Sequence, residues 1–66
     1  MIQQANEIAE KFAGFPRERA IEGIREHIER FCERAFGERL IEHVAKGGEG
    51  LHELVVEAVK RMSIET

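Results

Sequence analysis

A chain of 66 residues with 13 acidic and 10 basic side chains, the signs interleaved and the net charge −3, has no field to draw in nucleic acid or anionic lipid. One cysteine cannot close an internal disulfide, and no run approaches the ~18 apolar residues of a membrane span. What remains is a single all-α domain over 1–66 with a thin core, because a folded chain of this size buries only about 60% of the surface its unfolded form exposes.

The first helix is expected over 2–13, where Ile2, Ala5, Ile8, Ala9 and Phe12 share a face and Glu7 and Lys11 are spaced for an i,i+4 pair. Gly14 reads as its left-handed cap, and Pro16 discourages helix at Phe15 while suiting the start of the next element. A second helix over 17–32 carries Ala20, Ile21, Ile24, Ile28, Phe31 and Cys32, with Glu26 and Arg30 oriented for an ion pair outside. Gly23 inside it marks either a neighbour that approaches closely or simple tolerance.

Helical periodicity continues past Cys32, and one helix over 17–46 would run roughly 45 Å. That is too long for so small a body, so Gly37 and a slip of phase near Phe36 predict a break within 32–37. A third helix over 35–46 then turns Leu40, Ile41 and Val44 inward and ends at Lys46–Gly47. After the loop of Gly47, Gly48, Glu49 and Gly50, a fourth helix over 51–62 has the clearest stripe, Leu51, Leu54, Val55, Ala58, Val59 and Met62, with Glu57 and Arg61 paired outside and 63–66 fraying. The whole is a bundle of three to four helices organised around the stretch 24–51.

No constellation carries chemistry. His27, Cys32, His43 and His52 are the possible metal ligands, yet none has a neighbour at ligand spacing, and Glu49-Gly-Leu-His52 is a single Glu-x-x-His where a di-iron bundle needs two. Cys32 has no histidine one helical turn away to act as a base, and Ser63 lies in the tail. The glycine loop lacks the preceding strand and the lysine of a phosphate loop, and Glu49 and Glu53 oppose an anion. No cofactor, metal or catalytic residue is therefore expected. A body this thin cannot cover all of its large apolar side chains, which predicts an exposed interaction patch. The first residues lack the features of a signal peptide, and with a lone thiol this suggests a cytoplasmic protein.

One family fits these features. Across positions 5–59, Ala5-Asn-Glu-Ile8, Phe12, Phe15-Pro16, Ala20 to Ile24, His27-Ile28, Phe31, Leu40, His43-Val44 and Gly47-Gly-Glu-Gly-Leu51 resemble the delta subunit of soluble NAD-dependent formate dehydrogenase. The resemblance implies a small partner, itself without cofactor, of large subunits that hold a molybdenum pterin, iron–sulfur clusters, flavin and the NAD site. Where that family usually reads Phe-Trp then Glu-Pro, this chain reads Phe31-Cys-Glu-Arg34, and where it has Arg-Met-Arg, Ala35-Phe-Gly37. The first change removes a favoured interface anchor and the clean start of the third helix.

Two functions are consistent with this reading. One is a non-catalytic accessory subunit that docks on a molybdenum formate dehydrogenase catalytic subunit and supports assembly or stability. The other is a free-standing helical module with an unrelated partner that self-associates through the same apolar faces, and the isolated chain is in either case a possible homo-oligomer. The partner-interface candidates are His27, Phe31, Cys32, His43 and Leu51, and the turns rest on Gly14, Pro16, Gly47, Gly48 and Gly50.

Overall fold

The computed structural model describes residues 2–64, with side chains through 62, as four helices: α1 (Ile2–Lys11), α2 (Arg17–Phe31), α3 (Arg34–Ala45) and α4 (Glu53–Ile64). Each buries the stripe that its apolar spacing dictates. Ala5, Ile8 and Ala9 face inward from α1, Ala20, Ile21, Ile24 and Ile28 from α2, Leu40 from α3, and Val55, Ala58 and Val59 from α4. The largest fully buried side chains are Ile21, Ile24, Leu40, Val55 and Val59. They meet where α2 and α4 share the most extensive packing of any pair of helices.

α1 and α3 do not pack on one another, whereas α2, half of which belongs to the stretch 24–51, and α4 each touch all three other helices, α4 the more extensively. The reason lies in its composition: α4 buries small and branched residues, Val55, Ala58 and Val59, and so lets three neighbours approach. Arg61 adds a polar strap to the same seam. Its guanidinium donates at 2.6 Å to Glu22 and at 2.8 and 2.9 Å to the two oxygens of Glu18, both on α2, rather than pairing with Glu57 along its own helix. The expected Glu26–Arg30 pair forms at 3.4 Å, while Glu7 accepts from Gln3 at 3.4 Å.

The boundaries shift by one or two residues from the periodicity. Gly14 is not the left-handed cap of α1, since the glycines with positive φ are Gly47, Gly48 and Gly50. Instead α1 ends by tightening: Phe12 N–H donates to Ala9 O, Ala13 N–H to Glu10 O and Phe15 N–H to Phe12 O, all three residues back, so no left-handed residue is needed. Pro16 stands at the N-cap of α2 (φ −55°, ψ 147°), and its carbonyl accepts from Ala20 at 2.9 Å. The break between α2 and α3 falls at Cys32 and Glu33, both extended (ψ 153° and 151°). It has to fall there or nearby, because the longest dimension of the molecule is 27 Å. Of the expected fraying at 63–66, residues 63 and 64 continue α4, and 65–66 lie outside the described residues.

Gly23 is explained by a neighbour. A Cβ built there would stand 2.5 Å and 2.8 Å from two ring carbons of Phe12, which lies across α2 just beyond the end of α1. Gly23→Ala therefore gains about 1 kcal/mol of helix propensity but forces the Phe12 ring off α2, an overpacking cost of ~1–3 kcal/mol. The ring loses its seat and the loss prevails. Thermal unfolding of the variant is expected to show a net destabilisation of about 1 kcal/mol, and an unchanged or raised Tm would mean that Phe12 does not hold α1 against α2.

Candidate partner-docking site

Two structures outside the core stand out, an exposed corner at the end of α2 and a polar clasp around the α3–α4 loop. The corner begins with the last turn of α2, where Ile28 is buried but Phe31, the last helical residue, is 76% exposed. Among the described residues its one ring neighbour is His27, whose ring centroid lies 5.1 Å away at 42°. Cys32 follows, half-buried at the C-cap, with its N–H donating to Ile28 O at 3.3 Å. Burial pushes its thiol pKa up, so Cys32 stays protonated at neutral pH and is a poor nucleophile.

Beyond Cys32 the chain enters α3 without a proline. Arg34 takes the first helical position, the place where proline is favoured, and Glu33 is already extended ahead of it. Helix formation is secured by the Glu33 carbonyl, which accepts from Phe36 at 3.0 Å and from Gly37 at 3.3 Å. Beside this turn, in the gap left because α1 and α3 do not pack together, runs an apolar groove of about 500 Å³ lined by Ile8, Cys32, Ala35 and Phe36 with Gln4, Glu33 and Arg39.

The clasp is built from three separate parts of the chain. At the end of α3 the Gly48 N–H reaches back to His43 O (2.9 Å) and the Gly47 N–H to Val44 O (3.0 Å), the paired bonds of a Schellman turn with Gly47 left-handed at φ 122°. His43 Nε2 lies 2.7 Å from Glu49 O, and since a carbonyl only accepts, that nitrogen carries the proton. From the other side Asn6 on α1 donates to Gly50 O (3.0 Å) and accepts from the His52 N–H (2.7 Å). Residues 50–52 are thus held out of helix, and α4 starts only at Glu53, with His52 as its cap: Nδ1 accepts from the Leu54 N–H at 3.1 Å and the carbonyl from Val56 at 3.1 Å.

Of the five partner-interface candidates, His27 and Phe31 meet at the end of α2, and Cys32 follows them as its C-cap. His43 and Leu51 lie elsewhere: His43 ties down the loop, and Leu51 is half-buried against the core cluster. The candidate metal ligands do not converge, and among the described residues no three His, Cys, Asp or Glu side chains are placed to hold a metal ion. Asn6 was not singled out from the sequence as a site. Besides its place in the Ala5–Ile8 segment of the resemblance, it is a weak helix former in the middle of α1, where a bond to a distant loop compensates for the poor propensity.

The clasp unites Asn6, His43 and the Gly47–Leu51 segment, which belong to two of the segments that carry the family resemblance, while a third, His27–Phe31, forms the exposed corner. The sequence model of the NADH-dependent formate dehydrogenase delta subunit family, FdsD, matches residues 1–59. The chain belongs to that family. No curated protein and no solved structure matches it. In this FdsD chain the matched residues extend from α1 through most of α4, so the match takes in both the clasp and the exposed corner. Among the described residues no helix is long and apolar enough to cross a membrane.

The clasp gives a direct check on the turn. Gly48 has φ 66°, and a Cβ there would stand 3.3 Å from Val56 Cγ2, so valine meets both backbone strain and a packed neighbour. Gly48→Val is expected to cost about 2 kcal/mol in urea denaturation, from ~1–2 for the left-handed backbone plus some crowding. A midpoint equal to that of the parent chain would mean that the loop is not built on these glycines.

Proposed function

We propose that this FdsD chain is a non-catalytic, cytoplasmic accessory subunit, a single domain over 1–66, that docks on the catalytic subunit of a molybdenum formate dehydrogenase and supports its assembly or stability. The observation that carries the docking face is Phe31, 76% exposed beside His27 and Cys32 on an otherwise charged helix end. Burying such a ring against a partner contributes roughly 1.5–3 kcal/mol, which a chain with a thin core of its own gains only on assembly. Family membership supplies the class of partner. The absence of a converging ligand set or an activated nucleophile among the described residues favours a role through binding free energy alone.

The test is co-purification. When the tagged chain is co-expressed with the dehydrogenase subunits of its own complex, the molybdenum-containing subunit is expected to elute with it in a fixed ratio. Recovery of the chain without that subunit, from cells that make both, would refute the proposal.

A further inference from the structure

The α1–α3 groove carries a second surface, which adjoins the corner at Cys32 but includes neither Phe31 nor His27. Among the described residues neither Glu33 nor Arg39 on its rim has an ion-pair partner, although Glu26–Arg30, Arg34–Glu38 and Lys46–Glu42 nearby are all paired. Phe36, half-buried in the same groove, lies midway between them in the chain. Glu33, at the N-cap, precedes it by three residues and Arg39, within α3, follows it by three, and all three line the groove, with the anion at the start of α3 and the cation further along it. Such an arrangement is complementary to its own reverse. Two α3 helices laid antiparallel about a two-fold axis through Phe36 set each Glu33 against the other copy's Arg39, twice, and bring the two Phe36 rings together.

We infer that the groove is the interface of a symmetric dimer of this chain, with α3 of each copy lying over the α1–α3 seam of the other. The occupant is a second copy because its charges answer both rim charges at once in the correct order, and its Phe36 and Ala35 match an apolar floor of Ile8, Cys32, Ala35 and Phe36. A specific interface takes about 600 Å² from each partner at the small end of the range, roughly one seventh of the 4508 Å² surface of this chain. An interface at the small end of the range is expected to be reversible. The inference does not rest on the docking of Phe31 to a catalytic subunit, and that reading does not rest on it.

Sedimentation equilibrium of the full chain at several concentrations, with circular dichroism as the control for folding, is the test. The parent chain is expected to be a monomer–dimer system. Glu33→Arg alone and Arg39→Glu alone each set like charges opposite one another twice and are expected to raise the dimer dissociation constant at least about tenfold. An equimolar mixture of the two single variants restores both attractive pairs and is expected to dimerise as the parent does, as is the double variant. Phe31→Glu leaves the dimer unchanged, which separates this surface from the docking corner. A parent chain that stays monomeric to millimolar concentration, a dimer indifferent to the single swaps, or a mixture no tighter than either variant alone would each overturn the inference.

Discussion

Phe31→Glu is expected to leave the isolated chain folded while weakening its hold on the catalytic subunit by roughly 30- to 700-fold, the loss of a ~2–4 kcal/mol anchor. The two halves of this expectation have different causes. Phe31 is 76% exposed and its only ring neighbour among the described residues is His27, so replacing it removes almost no contact within the chain and shifts its own stability by no more than about 0.5 kcal/mol. In the assembled enzyme the same position would put an unpaired carboxylate where an aromatic ring had been desolvated, which costs the burial of the ring and adds the dehydration of a charge. Titrating immobilised catalytic subunit with both forms of the chain measures the ratio directly. Equal affinities would move the docking face away from the end of α2.

Leu40→Ala is expected to have the largest effect on the chain by itself. Leu40 has no exposed surface and is the one large side chain that α3 places fully in the core, so its removal leaves a cavity that the other three helices cannot close. Substitutions of this kind cost ~2–5 kcal/mol, and a domain of 66 residues has only about 3–10 kcal/mol of stability to lose. The variant should therefore lose α3 packing or unfold near 37 °C as an isolated chain. Adding the partner should restore part of the helical signal, because binding to the folded form stabilises it by mass action. A melt within 2 °C of the parent, a shift smaller than ~1 kcal/mol would cause at this size, would show that Leu40 is not central to the core.

The helices were legible because their apolar spacing is local information. Ala20, Ile21, Ile24 and Ile28 recur at helical intervals and are buried as that pattern requires, and the 27 Å extent of the molecule rules out the unbroken helix that the periodicity alone permits. Their ends were less legible. Gly14 matches a capping residue, yet α1 closes through bonds to carbonyls three residues back, a route open to any sequence. Residues 51 and 52 continue the apolar stripe of α4 but are held out of helix by Asn6, 44 and 46 residues from its partners Gly50 and His52 in the chain. The choice of Glu18 and Glu22 by Arg61 is likewise tertiary, set by how α2 and α4 cross. At the site, the contact of His27 with Phe31 follows from i,i+4 spacing, while the use of His43 in the clasp and the packing of Leu51 against the core required the fold.

The distinction that matters most is between a chain that holds an enzyme together and one that takes part in its chemistry. On the proposed reading the chain acts through binding, and an added subunit can stabilise an assembly only through its preference for the assembled state. The direct measurement is turnover per molybdenum in purified formate dehydrogenase prepared with and without this chain. The account predicts less assembled enzyme without it but the same turnover for each molybdenum that is correctly assembled. Complex that lacks the chain, keeps its molybdenum and iron–sulfur clusters, and yet has lost nearly all turnover would contradict it.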